Sequence, residues 1–292
     1  MTTDIPILNG IAGIADRYDG YILDLWGVVH NGLKPLPGVI DTLERLRATG
    51  RHTCLLSNAP RRLSALIDRL EEIGVPRRLY DHVMSSGEAT HEALAGRADP
   101  FTAELGRRCL HIGPPRDVSI YGGLGYEVTE SPAEADFVLN TGIREHHETV
   151  ADYEEVMAAA ARRGLPMICA NPDLVVMVGD TPAICAGALA ARYEALGGAV
   201  VYYGKPYPSV YEACFGLLAG IDRGRILAVG DSFRTDIAGA NAMGLDSLLV
   251  AGGIHADDLS AEPGGPIDPG KLGRAAEAAG HRPTYAAPGL IW

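Results

Sequence analysis

The chain has 292 residues, 47% of them hydrophobic, which is enough for one large or two ordinary globular domains with a sizeable core. Its formal net charge of -12 excludes nucleic acid or an anionic membrane as the main partner, because a phosphate surface rewards clustered cations. The first twenty residues lack a basic start followed by an apolar core, and no uncharged apolar segment approaches the ~18 residues a membrane span requires, so the expected location is cytoplasmic.

Taken in chain order, short β-type runs alternate with helical periodicity. The first run, YILDLWGVV, carries Asp24 and is followed by apolar positions Val39, Leu43 and Leu46 at helical spacing before Gly50. TCLLSN ends on Ser57 and Asn58. It leads into a helix expected over 61–73, with Leu63, Leu66, Ile67, Leu70 and Ile73 on one face and Gly74 and Pro76 as its stop. CLHIG, DFVLNTG and MICANP follow as strands, with a helical stripe at Val150, Tyr153, Met157 and Ala160 between the last two. AVVYYG ends at Lys205, a stripe at Val210, Cys214 and Leu217 follows, and ILAVGD and DSLLVAG close the series. Strand and helix alternating in this way predict an α/β fold, a doubly wound parallel sheet with helices on both faces. More than a hundred residues with their own alternation separate Ser57 from Lys205. That spacing predicts a core of residues 1–87 and 201–292 and a second α/β domain, 88–200, inserted into it.

The chemistry gathers at the carboxyl ends of these runs, where open α/β sheets bind ligands. Asp24 before a glycine suits a nucleophile held by its strand, although an aspartate there can equally form a turn. Ser57 and Asn58 offer a hydroxyl and nearby amides for phosphate oxygens, or a plain helix cap. Lys205 between Gly204 and Pro206 can neutralise a transferring phosphoryl group, or stand as an ordinary surface lysine. In GDSFRTDIAGA, Asp231 and Asp236 can hold a magnesium ion through oxygen ligands, or act as two separate caps, with Gly239 and Ala240 allowing close packing.

In this joint order the chain resembles the haloacid dehalogenase superfamily of aspartate-nucleophile phosphotransferases. Asp24, Ser57, Lys205 and the pair Asp231 and Asp236 match its four motifs in turn. DFVLNTGI, CANPDLVVMVGDTPAICAGALAARYEALGG and YYGKP look like the inserted cap (C2 type) of class IIA, the NagD-like and nitrophenylphosphatase-like enzymes. The resemblance implies a Rossmann-like core and a Mg2+-dependent phosphatase for a small phosphate monoester, working through an aspartyl-phosphate on Asp24. It further implies magnesium held by Asp24, the main-chain carbonyl of Trp26 and Asp231, with Asp236 supporting the metal shell, and phosphoryl oxygens held by Ser57 and Lys205. Caps of this class often pair, which makes a homodimer through the cap one expected arrangement.

One position departs from the pattern. Where the superfamily's phosphatases carry a second aspartate that protonates the leaving group, this chain has Trp26, whose indole has neither an acidic proton nor a basic lone pair. Loss of general acid/base help costs about 10² to 10⁴ in rate, or roughly 3 to 5.5 kcal/mol of barrier. Three expectations follow: His30 supplies the proton transfer; the protein is catalytically impaired and binds phosphate esters as a sensor or regulatory module; or the indole forms an apolar wall beside the nucleophile. A phosphonate-cleaving variant would want a cap lysine, and residues 88–200 contain none.

The remaining candidates have simpler readings. Asn171, Pro172 and Asp173, with Gly179 and Asp180, read as cap loops over the core site, and 261–270 as a Gly/Pro-rich surface loop. His146 and His147 lack ligand spacing, the five cysteines read as buried thiols, and Trp292 as cover for a core edge.

Overall fold

The computed structural model describes residues 4–178, 181–262 and 265–292. Its strands are β1 (Gly20–Asp24), β2 (His52–Ser57), β3 (His82–Ser85), β4 (Arg108–Ile112), β5 (Glu127–Thr129), β6 (Phe137–Asn140) and β7 (Met167–Cys169). They continue with β8 (Val175–Val178), β9 (Thr181–Ile184), β10 (Val200–Tyr202), β11 (Ile226–Gly230), β12 (Asp246–Val250) and β13 (Tyr285–Ala287). The chain divides into two compact units. One comprises Met1–Ser57, Leu66–Met84 and Tyr211–Trp292, and the other Asn58–Ala65 and Ser85–Val210.

The first unit is built on a sheet of order β13-β12-β11-β1-β2-β3. β1 lies at its centre, parallel to β11 on one side and to β2 on the other. Every residue of β1 and β11 is buried, the signature of a central parallel strand covered on both faces. The helix Val39–Ala48 turns Val39, Leu43 and Leu46 inward, as their spacing requires, and the helix Leu63–Glu72 is shorter by about a turn than the stripe suggested. A cluster of Ile5, Phe233, Ile237, Leu249, Leu259, Leu272 and Ala286 fills one face of the sheet. At the chain's end the Arg45 guanidinium lies 5.8 Å above the Trp292 ring, and a methyl on Gly10 would come within 2.5 Å of the Trp292 carbonyl oxygen.

The second unit carries its own parallel sheet, in the order β10-β7-β6-β4-β5, and a separate antiparallel hairpin of β8 and β9. Its core joins Leu110, Val138 and Met167 from the strands to Met157, Leu189 and Tyr193 from the helices. The Tyr193 hydroxyl donates to the Leu165 carbonyl at 2.7 Å, satisfying a polar atom that burial would otherwise penalise. All five cysteines are buried. No helix among the described residues is long and apolar enough to cross a membrane.

Several strands are shorter than their apolar runs. The run from Tyr21 to Val29 leaves the sheet after Asp24, because Gly27, at φ +75°, turns the chain back so that the Val29 and His30 amides both reach the Leu25 carbonyl at 2.9 Å.

Candidate active site

Parallel pairing sets the first unit's polar residues along one edge of its sheet. Asp24 is level with Leu56 of β2, so Ser57 lies one residue beyond it. On the other side Leu23 pairs with Val229, which puts Asp24 beside Gly230 and Asp231 just past the end of β11. A π-helical turn, Phe233–Ile237, then returns Asp236 to the same place. Carboxylate oxygens of Asp24, Asp231 and Asp236 all lie within 4.8 Å of one another, and all three residues are buried. The helix after Ser57 begins only at Leu63, so this serine does not cap it.

Backbone and glycines fix the carboxylates. The Ile254 amide donates to Asp231 Oδ2 at 2.8 Å, and the Ser232 amide donates to Asp236 Oδ2 at 3.2 Å. A methyl group on Gly27 or Gly253 would sit 1.9 or 2.2 Å from Asp231 Oδ2, and one on Gly230 would sit 2.1 Å from the Asp236 side chain. Gly239 has the packing role expected of it: a methyl there would lie 2.3 Å from the Tyr211 hydroxyl, which also donates to the Asp236 carbonyl at 3.4 Å.

Three buried carboxylates this close concentrate negative charge, which a divalent cation offsets. The donor set is all oxygen, which fits a hard cation such as Mg2+ or Ca2+ and not a thiolate- or imidazole-seeking metal. Among the described residues this is the group of acids, histidines and cysteines whose ligand atoms converge, whereas His146 and His147 are exposed.

The segment after Asp24 folds as a small flap. The Gly27 amide donates to the His30 carbonyl at 3.0 Å, and Asn31 Oδ1 accepts from the Leu33 and Lys34 amides at 3.1 Å each, closing its tip. His30 is buried, its Nδ1 accepts the Gly32 amide at 2.9 Å, and burial, with the Arg69 charge adding to it, pushes its imidazole down to about 4. The ring is therefore neutral at pH 7, with one nitrogen committed to the backbone. Trp26 packs edge-on against it, centroids 5.1 Å apart at 71°.

In the second unit, the Asn58 side chain organises Lys205. Its Oδ1 accepts the Lys205 amide at 2.7 Å, and its Nδ2 donates to the Lys205 carbonyl at 3.1 Å and to Asp173 Oδ1 at 2.9 Å. Gly204 makes room for this pairing, since a methyl group there would lie 2.6 Å from Asn58 Oδ1. Asn171 Oδ1 accepts the Asp173 amide at 3.0 Å, the turn chemistry that its sequence suggested. Gly179 and Asp180 lie outside the described residues.

Reading the sequence missed the carboxylate-holding amides of Ser232 and Ile254, because a main-chain donor has no residue signature. It also missed a polar network at the carboxyl ends of β4 and β6. There His111 Nε2 lies 3.0 Å from Thr141 Oγ1, and burial raises Asp117 above the ordinary carboxylate range despite its bond to Thr141.

Residues 21–127 and 123–244 match haloacid dehalogenase-like hydrolase families, and 202–290 match a HAD-hydrolase-like family. The D-glycerol 3-phosphate phosphatase of Mycobacterium tuberculosis is 30% identical over 260 residues, covering 86% of this chain and 68% of that protein. The ribonucleotide monophosphatase NagD of Escherichia coli is 28% identical over 245 residues, 83% of this chain and 91% of that one. Among solved structures, a haloacid dehalogenase-like hydrolase from Brucella suis superposes with a TM-score of 0.83 at 36% identity, covering 97% of this chain and 100% of that one. A glycerol phosphate phosphatase from Mycobacterium tuberculosis in complex with magnesium superposes at 0.69 and 26% identity, covering 95% and 77%. The chain belongs to the haloacid dehalogenase-like hydrolase family, with NagD-like and nitrophenylphosphatase-like relatives.

Proposed function

We propose that the protein is a magnesium-dependent phosphatase for small phosphate monoesters, with residues 1–87 and 201–292 acting as the catalytic core and 88–200 as the inserted cap. The observation that carries this reading is the meeting of the Asp24, Asp231 and Asp236 carboxylates within 4.8 Å at the carboxyl edge of the sheet. Asp24, Asp231 and the main-chain carbonyl of Trp26 would hold Mg2+, with Asp236 supporting them. The bound ion would neutralise charge that the carboxylates and the phosphate otherwise set against each other.

An Asp24 carboxylate oxygen attacks phosphorus in line as the ester oxygen departs, giving an aspartyl-phosphate. Water then attacks phosphorus, releasing phosphate and restoring Asp24. Ser57 and Lys205 hold the phosphoryl oxygens, and Asn58 is a positioning residue that fixes Lys205 through its main chain. His30, neutral and bonded to the Gly32 amide, holds the flap together and is a poor proton donor at pH 7. Relatives named for glycerol phosphate and for ribonucleotides support a small organic phosphate as substrate.

The indole of Trp26 in place of an acid/base favours a second reading, a phosphate-ester-binding protein with impaired turnover. One assay separates the two: phosphate release from a panel of monoesters with Mg2+, wild type against Asp24→Asn. A wild type that outpaces the variant on at least one ester supports the enzyme. Equal rates on every ester, aryl and acyl phosphates included, leave the binding protein.

A further inference from the structure

We infer that the site selects aryl phosphates, esters whose flat leaving group departs as an unprotonated oxyanion, and that Trp26 sets this restriction. The inference rests on the phosphatase reading above and adds the substrate class.

Trp26 follows Asp24 by two residues, and the flap fixes its ring. Beyond its edge-on contact with His30, the indole lies against Gly32, where a methyl group would come within 2.4 Å of Cη2. Gly32 can take this position because it has φ +86° and no side chain. Its amide donates to His30 Nδ1 at 2.9 Å, and its carbonyl accepts from Arg69 Nη2 at 2.8 Å, so the surface under the ring is held from both sides. Although its edge is packed, Trp26 remains 37% exposed.

Two aliphatic side chains of the same unit are exposed too: Ile254, whose amide holds Asp231, is 54% exposed, and Leu33 at the flap tip is 74% exposed. The side chain two residues beyond Asp24 is thus a partly exposed indole, and the residue whose amide holds Asp231 carries an exposed aliphatic side chain. Neither can hand a proton to a departing oxygen.

The step balances without such a donor. The bond from the Asp24 oxygen to phosphorus forms while the phosphorus–phenolic oxygen bond breaks. The phenolate keeps that electron pair and takes its proton later from water. An alkoxide, far more basic, leaves poorly under the same conditions. An aryl group also gains offset stacking on the indole that an alkyl chain does not.

The test is a leaving-group series: phosphate release from substituted phenyl phosphates of graded phenol acidity and from alkyl phosphates, with Mg2+. Wild-type kcat/KM should fall steeply as the leaving group becomes more basic, by about 10² to 10⁴ from the most acidic phenol to the alkyl esters. Trp26→Asp should raise the alkyl end by a factor of that order and flatten the dependence. Trp26→Phe should keep the steepness and raise KM for aryl esters a few-fold. Should Trp26→Asp fail to fold, the wild-type slope alone decides. Equal turnover of alkyl and aryl esters by wild type overturns the inference and leaves the phosphatase reading standing, whereas turnover no faster than Asp24→Asn on every ester overturns both.

Discussion

Gly27 and Asp231 come from segments two hundred residues apart, yet a single methyl group on the glycine would sit 1.9 Å from the aspartate's Oδ2. Pairing of β1 with β11 brings the two strand ends together, and the turn after Asp24 then presses its backbone against the second carboxylate. The same oxygen accepts the Ile254 amide at 2.8 Å. Asp231 is therefore held by packing on one side and a hydrogen bond on another, the pre-organisation a cation site needs.

Gly27→Ala tests that relationship. The variant meets the carboxylate and also forces an L side chain to φ +75°, each costing of order 1 to 3 kcal/mol. A lower thermal midpoint and a weaker response to Mg2+ are expected together. Gly50→Ala is the control: it has a similar φ of +73° with open space at Cβ, so it should lose stability and keep the Mg2+ response.

Divalent metal should stabilise the fold, since an ion bound by the native state alone adds about 2.7 kcal/mol at a hundred times its dissociation constant. Mg2+ should therefore raise the wild-type melting temperature, and a chelator should reverse the gain and abolish turnover. Asp231→Asn and Asp236→Asn each remove one of the three converging carboxylates. Both should lose most of the Mg2+ shift, which differential scanning calorimetry would read directly.

The order Asp24, Ser57, Lys205, Asp231 was legible in sequence because each ends an apolar run, and a buried parallel strand is such a run; Asp236 was legible from its place five residues after Asp231. Strand ends were less legible: nothing in YILDLWGVV marks the departure from the sheet after Asp24 except Gly27. β3 (His82–Ser85), β5 (Glu127–Thr129) and β13 (Tyr285–Ala287) went unread because none lies in an apolar run of the kind that disclosed the equally short β7 and β10, and the β8–β9 hairpin because its strands belong to no larger alternation. The Asn58 side chain, read as a phosphate ligand, is engaged with Lys205, a partner almost 150 residues away that no local pattern discloses.

Asn58 should matter more for catalysis than for folding. Asn58→Ala removes three hydrogen bonds, two of them to the Lys205 main chain, and should cost roughly 1 to 3 kcal/mol of stability. Its distinguishing effect should be a higher KM for phosphate esters, because Lys205 loses its fixed backbone. Asn58→Asp should be worse, since the new carboxylate takes the place of an amide 2.9 Å from Asp173 Oδ1 and can donate nothing while ionised. A pH series should show the aspartate variant recovering part of its loss in acid, where the closely placed carboxyl pair takes up a proton.

His30 gives the stability a pH dependence of defined sign. Burial lowers its imidazole from 6.5 to about 4, so between those values the unfolded chain binds a proton that the native chain does not. Native stability is then fully present above pH 6.5 and falls as pH drops towards 4, by roughly 2 kcal/mol between pH 7 and pH 5. His111, also lowered to about 4, adds a loss of the same sign in the second unit, so the His30 share is the difference between wild type and His30→Asn. Asparagine can still accept the Gly32 amide but does not titrate. Denaturant unfolding at pH 7 and pH 5 should show wild type losing more stability than the variant by about that amount. A kcat/KM profile with an ionisation near 6.5 that disappears in His30→Asn would instead make His30 the proton donor that Trp26 cannot be.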